Sequence, residues 1–238
     1  MAFYEREKQY ISLLSQRSMS IAELARMLFV SEPTVRRDIA RMRESDTVST
    51  KGGVASLKVA SADKRITLFV RDAENNGAKR IIGRRAAELV RDGDVIMLDA
   101  STTAYHMVEF LENKKDIFVI TSGIRSATVL AGMGIRTVLV GGEIISESLS
   151  FAGADAERTL RAYNADKAFF SCRSLSSDGL VTDNSISENS IRRIMIEKAA
   201  DAYLLCDSTK LGKKCLNTLC HTDELAGVIT ENDGKSKE

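Results

Sequence analysis

Two sets of side chains in this chain of 238 residues have types and spacings that could do chemistry. The first comprises Ser31, Thr34, Arg36, Arg37 and Arg41, with Lys51 a few residues beyond. Guanidinium forks grip guanine edges or phosphates, and short hydroxyl side chains reach either, so this set points to a polyanion and most directly to duplex DNA. The second set recurs in four short clusters: Asp99-Ala100-Ser101-Thr102-Thr103, Thr121-Ser122-Gly123, Gly141-Gly142-Glu143 and Asp207-Ser208-Thr209-Lys210. Hydroxyls and free backbone N–H groups at the start of a helix bind anions. Lys79, Arg192 and Lys210 are candidate counter-charges, and Asp99, Asp207 and Glu188 can accept hydrogen bonds from sugar hydroxyls. Together they suggest a pocket for a small phosphorylated polyol. Each cluster also has a plainer reading: Ser-Thr-Thr caps a helix, Gly-Gly makes a turn, and Asp-Ser-Thr-Lys is a polar loop. The basic helix could likewise be a solvated face. Recurrence at four strand ends favours one shared pocket, because independent loops have no reason to share a chemistry.

The elements that must position the first set are helices. Ser20 caps a helix whose Ile21, Leu24, Ala25 and Leu28 share a face, and a short Phe-Val link leads to Ser31 as a second N-cap. Pro33 is tolerated in the first turn that follows, and Val35, Ile39 and Met42 fall on the inward side, leaving the arginines outward. Upstream, residues 4–15 form an amphipathic helix with Tyr10, Ile11 and Leu14 inward. Downstream, two β-favouring stretches flank Lys51-Gly52-Gly53 and predict a hairpin. Three helices and a hairpin make a winged helix over 1–58, with Lys51 near a phosphate or the minor groove.

The second set needs a sheet. After a linker over 59–78 that carries one short strand or helix, apolar runs at 94–101, 116–123, 136–142, 165–172 and 201–208, with a last at 225–232, alternate with helical segments. Strands with so little alternation imply a mostly parallel sheet covered on both faces. Its carboxyl ends are where small ligands gather. This α/β domain runs over 79–231, and 232–238 forms a frayed tail.

Composition limits the alternatives. A hydrophobic fraction of 44% and a charged fraction of 28% suit a soluble globular protein, and the net charge is +1. Residues 1–58 hold ten Lys/Arg against seven Asp/Glu, so a mildly positive head sits on a slightly acidic body. No apolar run is long enough to cross a membrane and the N-terminus lacks a signal core, which predicts a cytoplasmic protein. Cys172, Cys206, Cys215 and Cys220 contain no CxxC pair and read as reduced thiols, and Cys215, Cys220 and His221 match no common zinc spacing, so no metal is expected. Walker, GxGxxG, GxSxG and HExxH motifs are absent from the sequence.

ELARMLFVSEPTVRRDIARM and KGGVA resemble the helix-turn-helix and wing of the DeoR-type bacterial transcriptional regulators. Further on, KRIIGRRAAELVRDGDVIMLDASTT, VITSGIRSA, VLVGGE, SFAGADAE, ADKAFFSC, SSDGLVTD and LLCDSTKLGK resemble, in order, the effector-domain blocks of that family. The resemblance implies an effector and oligomerisation domain related in fold to ribose-5-phosphate isomerase that senses a sugar phosphate. By carry-over it marks Lys79, Asp99, Ser101, Thr102, Thr103, Thr121, Gly141, Gly142, Asp166, Arg192, Asp207 and Lys210 as effector-binding positions, and Ser122, beside Thr121, joins them as a candidate through its hydroxyl. Ser122 stands where the family usually has Asn, Arg192 where it usually has Lys, and Ser49-Thr50-Lys51 where an Arg and a His usually precede the wing glycines.

The expected function is therefore a sequence-specific repressor of a carbohydrate-catabolism operon. Its expected partners are double-stranded operator DNA, a sugar-phosphate effector and further copies of itself, as a dimer or tetramer; no cofactor and no membrane are expected. The alternative is a sugar-phosphate isomerase carrying an accessory DNA-binding domain, with Asp99, Asp166 or Asp207 as its base. The stretch from Asp166 to Ser174 has neither the acidic cluster nor the Lys-Gly-Gly-Gly loop such isomerases carry, so the expectation is no enzyme.

Overall fold

The structure is a computed structural model that describes residues 3–44, 47–57 and 64–232. The chain divides into two compact units that meet in sequence at Glu74 and Asn75.

The first unit opens with α1 (Phe3–Gln16), whose Tyr10, Ile11 and Leu14 are buried as their spacing predicts. A two-residue strand, β1 (Met19–Ser20), leads into α2 (Ile21–Met27). The Ser20 hydroxyl accepts from the Glu23 N–H, while the Glu23 carboxylate accepts from the Ser20 N–H at 2.9 Å, a reciprocal capping box. At the other end, Val30 N–H donates to Ala25 at 3.1 Å and Phe29 N–H donates to Arg26 at 3.4 Å. Phe29 itself has φ 53°. Helix α3 (Glu32–Glu44) follows, with Val35, Ile39 and Met42 in the core. Strands β2 (Val48–Lys51) and β3 (Val54–Leu57) form the hairpin, Lys51 opposite Val54, and β1 pairs with β3 as a third strand. Gly52 and Gly53 both take positive φ, which a two-residue turn that matches strand twist requires.

One buried interaction escaped the sequence reading. Asp38, on the inward side of α3, accepts from Arg6 Nε at 2.7 Å and Arg6 Nη2 at 3.1 Å, and from the Tyr10 hydroxyl at 3.2 Å. A fork-to-carboxylate pair of this kind fixes the angle between α1 and α3. The expected linker is also more structured than its composition suggests. It holds α4 (Lys64–Ala73), with Leu68 buried and Val70 packed against the core of the first unit.

The second unit runs through α5 (Asn76–Glu88), β4 (Val95–Leu98), α6 (Thr102–Tyr105), β5 (Phe118–Thr121), α7 (Ile124–Gly132) and β6 (Arg136–Leu139). An antiparallel arm, β7 (Glu143–Ile145) and β8 (Ser150–Ala152), precedes α8 (Ala154–Arg161) and β9 (Ala165–Ser171). Then come β10 (Ser174–Leu175), β11 (Leu180–Asp183), α9 (Ile186–Lys198), β12 (Ala199–Leu205), β13 (Asn217–His221) and β14 (Gly227–Ile229). The main sheet is parallel throughout, in the order β14-β12-β9-β4-β5-β6, and β10, β11 and β13 form a small antiparallel sheet. The arm, α8 and the small sheet were not read from the sequence, because segments this short carry no measurable period. Of the expected tail, only Asn232 lies within the described residues.

Both faces of the sheet are covered. Phe169 and Phe170 are adjacent on β9 and fully buried, and the period of two sends them into separate clusters on opposite faces. Burying each ring stabilises the sheet by roughly 1.5–3 kcal/mol. Chain order runs outward from β4 to β5 and β6, then returns to β9, β12 and β14 on the other side. The crevice between the carboxyl ends of β4 and β9 is thus the point where the winding reverses, the place where open α/β sheets bind ligands.

Candidate functional site: a strand-end cleft and a basic helix

A cleft of about 190 Å³, open mouth included, lies at that reversal. It is lined by Asp99, Ala100, Ser122, Ser150, Phe151, Glu188, Ile191 and Arg192. Asp99 and Ala100 follow β4, Ser122 follows β5, Ser150 and Phe151 belong to β8, and the other three to α9. Asp99 is spoken for on every side. Its Oδ1 accepts from the Ser101 hydroxyl at 2.6 Å and the Ser101 N–H at 3.1 Å, and its Oδ2 accepts from Arg192 Nε at 2.9 Å and the Ser171 N–H at 3.3 Å.

Arg192, a candidate counter-charge, lines the cleft and is already paired within the chain. Only 5% of it is exposed, and besides Asp99 it donates to Asp183 at 2.9 Å and Asn189 at 3.3 Å, with Glu188 at 3.9 Å. Burial pulls its pKa down, but Asp99, Glu188 and Asp183 outweigh that and raise it overall, so the guanidinium stays charged. Three carboxylates around one cation leave the inner wall acidic. Such a wall accepts hydrogen bonds from hydroxyls rather than welcoming a second anion. Ser122 is 4% exposed, and its hydroxyl has no partner among the described residues. It therefore keeps both a donor and an acceptor for a ligand.

A second cluster adjoins the first through Ser171. Lys210 Nζ donates to the Ser171 hydroxyl at 2.7 Å and to the Thr103 hydroxyl at 3.4 Å, and stands 3.6 Å from Asp207. Asp207 in turn accepts from the Thr209 N–H at 3.2 Å and from Asn75 Nδ2 at 3.4 Å. Lys210 is partly exposed and faces one carboxylate, Asp207, where Arg192 faces three, so it is the better candidate to hold an anionic group. Cys172 and Cys206, next in register beyond Ser171 and Leu205, sit beside it. The neighbouring Cys206 lowers the Cys172 pKa, burial opposes, and Lys210 and Arg192 assist.

The remaining expected positions divide. Ser101 and the buried Thr102 open α6, and the Ser101 hydroxyl caps it by accepting from the Ala104 N–H at 3.1 Å. The Thr121 hydroxyl accepts from the Gly123 N–H at 3.0 Å and so serves the turn. Lys79 is buried on the inward face of α5. Gly141 and Gly142 do not line the cleft. A Cβ on Gly142 would lie 2.6 Å from the Ala152 carbonyl, so its bareness serves the packing of the arm. Asp166 lies at the start of β9 and accepts from the Val95 N–H at 2.8 Å, which places it at the amino edge of the sheet, opposite the cleft. Its role there is to join two strands. Conversely, Asp183, Ser150, Phe151, Asn189 and Ser171 were missed. For Asp183, Ser150, Phe151 and Ser171 the one available signal was their position inside the family-like blocks SSDGLVTD, SFAGADAE and ADKAFFSC, and Asn189 lies in none of them.

In the first unit, Arg36 and Arg37 are exposed on α3, and Lys51 is exposed at the hairpin tip. Arg36 also pairs with Glu32 at 3.1 Å, one turn away. Ser31 and Thr34 bond each other at 2.9 Å, and Ser31 accepts from the Thr34 N–H at 3.4 Å as the cap of α3. Arg41 lies over the Phe3 ring, 4.2 Å from its centroid, and so helps to dock α3 on α1. Among the described residues, no helix is long and apolar enough to cross a membrane, and no group of three or more His, Cys, Asp or Glu side chains could hold a metal ion.

Two family comparisons cover most of the chain. The DeoR-like helix-turn-helix domain matches residues 6–60, and the DeoR C terminal sensor domain matches residues 74–232. An uncharacterized HTH-type transcriptional regulator of Bacillus subtilis, YulB, is 30% identical over 98% of this chain and 90% of its own length. The lactose phosphotransferase system repressor of Staphylococcus epidermidis is 30% identical over 99% of this chain and 94% of its own. Among solved structures, eIF2B delta from Chaetomium thermophilum superposes with a TM-score of 0.51 at 18% identity, over 68% of this chain and 58% of that one, a likeness of fold.

Proposed function

From the chain's place in the DeoR family of transcriptional regulators, to which it belongs, we propose that it represses a carbohydrate-catabolism operon and is tuned by a sugar phosphate. The observation that carries the sensing half is the acidic strand-end cleft lined by Ser122, whose hydroxyl has no partner among the described residues. Glu188, Ser122 and Ser150 would receive the sugar hydroxyls, with Asp99 holding Arg192 and Ser101 in place behind them, and Lys210 would take the phosphate. The DNA half is supported by Arg36 and Arg37 standing exposed near the start of a capped helix, with Lys51 on the wing. In that arrangement the N-terminal turns of α3 face base edges and the wing reaches the backbone. Copies of the chain would present two heads to two half-sites. The effector acts by binding one arrangement of the heads better than another. This is the work of a cytoplasmic protein with no catalytic step.

The two halves are separable by mutation. Arg37→Ala is expected to remove preference for the operator in a gel-shift titration while leaving sugar-phosphate binding within about twofold of the parent. Glu188→Gln should do the reverse, keeping operator affinity and losing the response to effector. A Glu188→Gln chain that still responds fully would place the effector elsewhere.

A further inference from the structure

Phe29 sits in a position that its own backbone resists. The hydrogen bonds from Val30 to Ala25 and from Phe29 to Arg26 close α2 in the manner that puts the residue after the cap in the left-handed region. Phe29 occupies that position at φ 53°, where glycine or asparagine is at ease and a bulky L-residue is an outlier. Glycine would make the same two backbone bonds. Nor does the ring repay the strain by packing, since Phe29 is 95% exposed. The fold of the first unit therefore gives no reason for a phenyl group here, and the reason lies in something that this surface touches.

Its location narrows the choice. Phe29 is two residues before Ser31, the cap of α3, and lies between exposed Met27 and exposed Pro33. When a helix-turn-helix docks, its first helix crosses the DNA backbone and its second enters the major groove by the N-terminal turns. The link between them then lies at the edge of the groove. The polar groups of α3 can read donors and acceptors there, and Thr34 offers one small methyl. A phenyl ring offers a broad apolar face to the 5-methyl group of thymine.

We infer that Phe29 reads a base: its ring packs on a thymine methyl at the edge of each half-site. This rests on the DNA-binding reading above and adds a specificity element that the arginines do not supply. The probe is a duplex selected from a randomised library by the full-length chain, then rescanned with deoxyuridine, which lacks only the methyl, at each thymine. For the parent chain, one thymine per half-site should lose about fourfold in affinity, what burial of one methyl group contributes. In Phe29→Gly, and in Phe29→Asn as a second variant at home in the left-handed region, overall affinity should drop by at least that factor. The same deoxyuridine should then have no effect. The melting temperature of both variants should equal or exceed the parent's. Full operator affinity in the variants, or a deoxyuridine penalty that survives them, would overturn the inference. A parent chain that selects no sequence at all would instead sink the DNA-binding reading, and this inference with it.

Discussion

At the scale of single residues, many polar groups are held by their immediate neighbours, and at some this shifts their titration. Glu23 shows the effect most simply. The Ser20 N–H, the Ser20 hydroxyl and Arg17 hold its carboxyl at about 2, below the ordinary 4.5. A depressed carboxylate contributes its stability in full above the unfolded value and loses it as pH falls through the folded one. The cap of α2 should therefore be intact at pH 5 and weaken only between about 4.5 and 2. A carbon-detected NMR titration of the Glu23 carboxyl should give a midpoint near 2, and Ser20→Ala should move it toward 4.5. That substitution should also cost about 1 kcal/mol in urea unfolding. A parent midpoint of 4.5 would mean that the capping box does not form.

At the scale of elements, close approach decides which substitutions survive. Two glycines of α5 make the point because their sequence contexts look alike. A Cβ on Gly83 would lie 2.5 Å from the His106 carbonyl oxygen, whereas one on Gly77 would meet nothing within 4 Å. Helix propensity favours alanine by up to about 1 kcal/mol at both sites. Gly77→Ala should realise that gain. Gly83→Ala should instead destabilise by roughly 1–3 kcal/mol, because α6 and the segment after it must back away from α5. Calorimetric melting temperatures moving in opposite directions would verify the packing; two increases would refute it. The helices and strands at issue were legible as elements, since α5, β4, β9 and α9 carry long and regular apolar patterns. Their distance of approach was not, because a period says which side faces in and nothing about what it meets.

At the scale of the whole molecule, the chain joins a head with its own core to a sheet unit with two. Ligand binding should therefore stabilise where the ligand sits. A sugar phosphate at one hundred times its dissociation constant should add about 2.7 kcal/mol to the unfolding of the second unit. Differential scanning calorimetry on the full chain should show that shift equally in the parent and in Arg37→Ala. A shift lost in Arg37→Ala would mean that the head forms part of the effector site.

Taken alone, the sequence determined the order of the main helices and strands, the winged helix with its exposed Arg36 and Arg37, the parallel sheet and the strand ends on which polar residues collect. Each of these follows from periodicity, capping and turn chemistry, which act between residues a few positions apart. Only the tertiary structure decided which strand ends face one another. It placed Asp166 at the far edge, gave Gly142 to packing, and surrounded Arg192 with Asp99, Asp183 and Glu188, two of which come from other elements. It also exposed Phe29 in a conformation that glycine would choose. Contacts such as Arg192 to Asp99 join residues 93 positions apart, and no local pattern encodes a partner at that separation. Pairing of that kind is set by strand order and by the point where the winding of the sheet reverses.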